Sequence, residues 1–129
     1  LKKKATIITN NKVVLDKYND KFHLEFIDGT LLEVLKITRD KIHEGHKLLT
    51  HPLSGSVKPN ETVYKSVLVS NEKGKLDMDS LMIIESAIET AEKFINMKRP
   101  PQWNEGILED FMEIDCTLID SGIESMKGF

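Results

Sequence analysis

The fourteen residues between Thr50 and Lys65 hold the side chains best suited to chemistry. His51, Ser54, Gly55, Ser56 and Lys58 are crowded into this segment, with Pro52 and Pro59 restricting the chain around them. Two hydroxyls flank a glycine whose backbone can approach a guest closely, and Lys58 adds a positive charge, so an anion or a phosphate is the natural ligand. The same residues permit a second chemistry. His51 as general base, Ser54 or Ser56 as nucleophile and Asp28 orienting the imidazole would make a hydrolase or a group-transfer enzyme. The plainer alternative is a polar turn that caps itself through its serine hydroxyls, next to a histidine engaged in a structural hydrogen bond.

The remaining reactive residue types point to structure. His43-Glu44-Gly45-His46 resembles a metal-ligand pair, but Gly45 separates a helix end from an extended start, so the two rings need not face one another and no metal is expected. Cys116 falls in the last helix, near the boundary of its polar and apolar faces, and reads as a small packing residue. Asn60-Glu61-Thr62 matches a glycosylation acceptor, without meaning for a chain inside the cell. The first strand-to-helix turn has no Gly-x-Gly-x-x-Gly and the chain has no Walker A loop, so no dinucleotide or nucleotide cofactor is expected.

Positioning these residues requires strands whose ends meet on one rim. Ala5–Thr9 is apolar and β-branched and is closed by Asn10-Asn11, which predicts a buried strand followed by a helix N-cap. Val13, Val14 and Tyr18 then recur at helical spacing, and Phe22 to Ile27 reads as a second strand. Asp28 or Thr30 can cap a helix carrying Leu31, Val34, Leu35 and Ile42, which Gly45 stops. His46–Thr50 reads as a third strand, halted by Pro52, and Lys65–Ser70 as a fourth, either parallel or an antiparallel edge because no helix connects the two.

Asp77 caps a long helix with Leu81, Ile84, Ile88, Ala91 and Ile95 inward, ended by Arg99-Pro100-Pro101. A last helix is predicted from about Asn104, with Ile107, Leu108, Phe111, Ile114, Leu118 and Ile119 as its stripe and Ser121-Gly122 as its end. Strands alternating with helices imply a single three-layer, Rossmann-like α/β domain over residues 1–129, with a small, mainly parallel sheet covered by helices on both faces. Ile7, Ile8, Leu48, Leu49, Val67, Ile84, Ile88 and Phe111 are expected to share one core. Ligands of such sheets bind beyond the carboxyl ends of the strands, which brings Asn10, Asn11, Asp28 and the loop residues His51, Ser54, Gly55, Ser56 and Lys58 together as the candidate binding set.

Composition excludes several classes. The 21 acidic and 18 basic side chains leave a net charge of -3, without the basic excess that a nucleic-acid partner requires. One cysteine allows neither an internal disulfide nor a Cys-x-x-Cys redox pair. No apolar run approaches the roughly 18 residues of a membrane span, and Leu1-Lys2-Lys3-Lys4 leads into a strand rather than a signal-peptide core. A cytoplasmic protein without a membrane partner is expected.

The segment from His46 to Thr62, His-Lys-Leu-Leu-Thr-His-Pro-Leu-Ser-Gly-Ser-Val-Lys-Pro-Asn-Glu-Thr, continuing into Tyr64-Lys65-Ser66, resembles the signature of the GrdX family. Ile7-Ile8-Thr9-Asn10-Asn11 and Ile107-Leu108-Glu109-Asp110-Phe111 are similar as well, so the likeness spans nearly the whole chain. Members are small proteins encoded beside glycine, sarcosine and betaine reductase genes of amino-acid-fermenting anaerobes. The resemblance implies an accessory role beside a selenoprotein system that releases acetyl phosphate, with a small anionic metabolite or a reductase-system protein as partner. It supplies no catalytic residues to carry over.

Overall fold

A computed structural model describes residues 2–53 and 58–126. The chain runs β1 (Ala5–Thr9), α1 (Lys12–Tyr18), β2 (His23–Phe26), α2 (Leu31–His43), β3 (Ser66–Ser70), α3 (Met78–Met97) and α4 (Glu105–Glu124). Each helix starts where a short polar side chain precedes its apolar stripe. Asn11 accepts from the Val13 amide at 3.0 Å, Thr30 from Glu33 at 3.1 Å, Asp77 from Ser80 at 3.1 Å and Asn104 from Ile107 at 2.9 Å. These bonds satisfy amides that the helix cannot pair internally.

The sheet has the order β2-β1-β3. β1 lies in the centre, parallel to β2 with Ile7 opposite Leu24, and antiparallel to β3 with Ile7 opposite Leu68. The sheet is therefore mixed, where a mainly parallel one was expected. The reason lies in the chain path: after α2 the segment 46–50 lies antiparallel to β3, and no described helix between the two restores parallel direction.

The third strand expected at His46–Thr50 is reduced to one bridge, Leu48 opposite Val69. Three backbone bonds survive beside it: the Leu49 and Thr50 amides donate to Leu68 O at 2.8 and 3.4 Å, and the Ser70 amide to Lys47 O at 2.8 Å. Hydroxyls take over the other positions. Lys47 N–H donates to Ser70 Oγ at 2.7 Å, Leu48 N–H to Ser80 Oγ at 3.0 Å, and Leu68 N–H to Thr50 Oγ1 at 3.0 Å. The backbone is satisfied without a continuous ladder.

Alternation along β1 and β3 sends side chains to two opposite faces. Ile8, Val67 and Val69 pack with Leu35, Ile42, Ile84 and Ile88 from α2 and α3. Ala5, Ile7 and Leu68 pack with Val14 and Tyr18 from α1 and with Cys116 and Ile119 from α4. The expected single core is thus two clusters divided by the sheet. Leu48 and Leu49 sit half-buried at their margins, and Phe111 belongs to neither, meeting Trp103 edge-on with centroids 4.9 Å apart.

α4 also differs from its expected pattern. Ile107 and Ile114 are 37% and 44% exposed, while Asp115, Cys116 and Ile119 face inward. The helix continues through Gly122 instead of ending there, and Gly122 packs closely on Thr50: a Cβ would lie 3.0 Å from Thr50 Cγ2.

α2 ends as the sequence predicts. Gly45 has φ 108, His46 N–H reaches Lys41 O at 3.1 Å and Gly45 N–H reaches Ile42 O at 3.0 Å, the paired bonds of a Schellman C-cap. A Cβ on Gly45 would also run into the carbonyl oxygen of Gly74, whose amide donates to Gly45 O at 3.0 Å. Gly45→Ala is therefore expected to lower stability by about 1–3 kcal/mol. Urea denaturation measures this, and an unchanged midpoint would refute the cap assignment.

Candidate ligand-binding cleft

Asn10 follows β1 directly and is buried. Its Nδ2 donates to Gly29 O at 3.0 Å and to Val63 O at 2.7 Å, and its Oδ1 accepts from Lys65 N–H at 2.9 Å. One side chain thereby clamps the β2–α2 turn to the segment leading into β3. Beside the clamp lies a cleft of about 610 Å³ between the strand ends, the tail of α3 and Met112 of α4. Its walls are mostly apolar: Phe26, Leu31, Val63, Tyr64, Ile95 and Pro100 dominate. Lys12, Asp28, Thr30 and Thr62 supply the polar groups, and Lys12 and Asp28 are both exposed to solvent. Burial pushes the Tyr64 phenol above its usual range.

The start of α2 adds a further charge. Thr30 caps the helix, and the Glu33 carboxylate folds back against Gly29, filling the space that a Cβ would need.

Asn11 points the other way, into the protein. Its Nδ2 donates to Met112 O at 2.8 Å and to Asp115 Oδ2 at 3.0 Å. Ser66 Oγ donates to the same carboxylate oxygen at 2.7 Å, Thr9 Oγ1 and Ser66 Oγ share a bond of 2.7 Å, and the Asn11 amide returns to Thr9 Oγ1 at 3.0 Å. This closed polar ring joins β1, β3 and α4. Asp115 is 4% exposed, and burial raises its carboxyl above the ordinary carboxylate range against the pull of the Asn11 and Ser66 bonds. Neighbouring Lys65 is 8% exposed, and burial lowers its ammonium while Asp115 opposes the shift. At the far end of α4, Tyr18 Oη donates to Asp120, which also pairs with Lys17 at 2.8 Å. Burial and the Asp120 bond both raise the Tyr18 phenol.

Of the residues chosen from sequence, Asn10 and Asp28 line the cleft together. Asn11 holds α4 instead. His51 lies in a separate cleft of about 290 Å³ with Leu53, Met82 and Ile83, and its Nδ1 accepts from the Leu53 amide at 3.1 Å. Lys58 is exposed beside the cleft-lining Pro59. Ser54, Gly55 and Ser56 lie outside the described residues. His46 donates its Nδ1–H to Ser70 O at 2.6 Å, and no cluster of three or more metal-ligating side chains occurs among the described residues.

Lys12, Phe26, Tyr64, Ile95 and Pro100 escaped the sequence reading. The first two flank the strand ends and were open to the same rule that selected Asn10 and Asp28. The others come from distant segments that only the fold assembles. Asp115 carried no such signal: it is buried on α4, where a carboxylate reads as solvent-facing.

No described helix is long and apolar enough to cross a membrane. No curated protein and no solved structure matches the chain. The sequence model of the GrdX-like proteins matches residues 6–124, and by this match the chain belongs to the GrdX-like protein family.

Proposed function

We propose that this chain is an accessory protein of glycine, sarcosine or betaine reductase systems and that it binds a small metabolite bearing an anionic group in the strand-end cleft. The single observation that carries the binding role is the cleft itself. At about 610 Å³ it falls within the roughly 300–1,000 Å³ range of small-molecule sites, with apolar walls and a few convergent polar groups. Lys12 supplies the cation within the cleft, and exposed Lys58 stands next to it in sequence from Pro59. A supporting rather than an electron-carrying role follows from the thiols. The chain has one cysteine, Cys116, which is buried and whose thiol burial pushes up, the opposite of a reactive thiolate. Treating the domain as a three-layer, Rossmann-like unit agrees with the parallel β1–β2 pair and with helix-packed clusters on both sheet faces.

Thermal-shift measurements with acetyl phosphate, inorganic phosphate, glycine and small carboxylates test this reading. A binder present at 100 times its dissociation constant is expected to add about 2.7 kcal/mol of stability. Val63→Trp, which places a bulky ring in the cleft, is expected to abolish that gain without unfolding the chain. If neither these compounds nor larger apolar metabolites bearing an anionic group stabilise the parent protein, docking to a reductase component replaces metabolite binding as the better reading.

A further inference from the structure

We infer that the guest of the strand-end cleft is a zwitterionic amino acid with a large apolar side chain. The inference deepens the proposed function and rests on the cleft being a binding site.

The charges around the cleft decide between ligand classes. Lys12 is the cation among its lining residues, Asp28 lies in the same lining, and the Glu33 carboxylate folds over Gly29 on the adjoining turn. A phosphate dianion would meet one positive and one negative group in the lining, with the Glu33 carboxylate close by on the adjoining turn, so its approach gains nothing from the local field. An α-amino acid meets a partner for each end: its carboxylate pairs with Lys12 and its ammonium with Asp28. Thr62 Oγ1 accepts from Tyr64 N–H at 3.3 Å, which leaves the hydroxyl proton free to donate to a ligand carboxylate. Asn10 is less available, because both of its amide protons are already committed to Gly29 O and Val63 O.

Size and polarity set the side chain. Glycine or acetyl phosphate would leave most of the 610 Å³ unfilled, and apolar walls formed by Phe26, Leu31, Tyr64 and Ile95 would lose contacts against such a guest. A leucine or phenylalanine side chain places apolar surface against those walls, and a ring can meet Phe26 or Tyr64 edge-on.

Isothermal titration of the full chain with L-phenylalanine, L-leucine, 3-phenylpropionate, 2-phenylethylamine and inorganic phosphate separates the possibilities. L-Phenylalanine or L-leucine is expected to bind, and each analogue lacking one charged end is expected to bind roughly 10- to 100-fold more weakly, the value of a charge-assisted hydrogen bond. Asp28→Asn is expected to weaken amino-acid binding while leaving 3-phenylpropionate unchanged. Lys12→Ala is expected to weaken it while leaving 2-phenylethylamine unchanged. If 3-phenylpropionate equals L-phenylalanine, or if phosphate binds more tightly, the zwitterion assignment fails while the cleft remains a ligand site. If no probe binds the parent chain, and the thermal-shift set is also silent, both readings fail together.

Discussion

Asp115→Ala is expected to destabilise the protein by about 3–5 kcal/mol, the cost of removing one partner from a buried charged network. The carboxylate is 4% exposed and accepts from Asn11 at 3.0 Å and from Ser66 at 2.7 Å. Alanine would strand both donors in the interior and leave the Lys65 ammonium without the acidic group that opposes its deprotonation. Each buried donor without an acceptor costs about 1–3 kcal/mol, so the sum agrees with the figure for a broken pair. A total stability of about 5–15 kcal/mol is typical for a single domain, so this loss consumes a large part of it. Urea denaturation at constant slope measures the change, and a loss below about 1 kcal/mol would show that the ring is not a structural joint.

The same carboxylate makes stability depend on pH in a direction opposite to that of most acidic groups. Burial raises the Asp115 carboxyl above its unfolded value of 3.8, so the native state keeps a proton that the unfolded chain has released. This contribution is fully present below pH 3.8 and is lost as pH rises through the folded value. Asp77 works the other way. Its bonds from Ser80 lower its carboxyl, and that stabilisation is lost on acidification. Subtracting the stability profile of Asp115→Asn from that of the parent isolates the Asp115 contribution. The difference should shift in favour of the parent on acidification, and a flat difference would contradict the raised carboxyl. There is no conflict with the alanine result: an isolated buried carboxylate is costly to ionise, yet deleting it is costlier once its neighbours are built around it.

These two residues also mark where local sequence signals stop. Asn11, Thr30, Asp77 and Asn104 all sit directly before an apolar helical stripe, and each is the observed N-cap. Capping acts over three residues, so the chain carries the signal within a short window. Gly45 is legible for the same reason. The direction of β3 is not, because it depends on how the chain returns from the 51–65 loop, and the reduced pairing of 46–50 depends on hydroxyls from Ser70, Ser80 and Thr50. The inward face of α4 is hidden by its own composition. Ile107 and Ile114 imitate a core stripe while Asp115, buried beside Cys116 and Ile119, reads as solvent-facing. The cleft was legible as a place but not as a chemistry. Strand-end logic selected Asn10 and Asp28, whereas Phe26, Tyr64, Ile95 and Pro100 gather from positions up to 74 residues apart in the chain.

Asn10→Ala is expected to cost about 3 kcal/mol, from three backbone groups each losing a partner worth roughly 1 kcal/mol or more when buried. Those groups are Gly29 O, Val63 O and the Lys65 amide, and they lie on two segments separated in the chain by α2 and by residues 44–62. Alanine removes the clamp and leaves a small void. Aspartate is the more informative change. It preserves the acceptor for the Lys65 amide but replaces a doubly donating Nδ2 with an oxygen that faces two carbonyls, so Asn10→Asp should be no less damaging than alanine at neutral pH. If Asn10 were instead a ligand contact on an otherwise rigid wall, aspartate and alanine would both leave the unfolding midpoint unchanged and alter only binding. A drop in midpoint for both variants, with the cleft-lining control Asp28→Asn staying within about 0.5 kcal/mol of the parent, assigns Asn10 to the frame that shapes the cleft. The reverse pattern would transfer it to the binding groups and leave the junction of the two segments to the backbone alone.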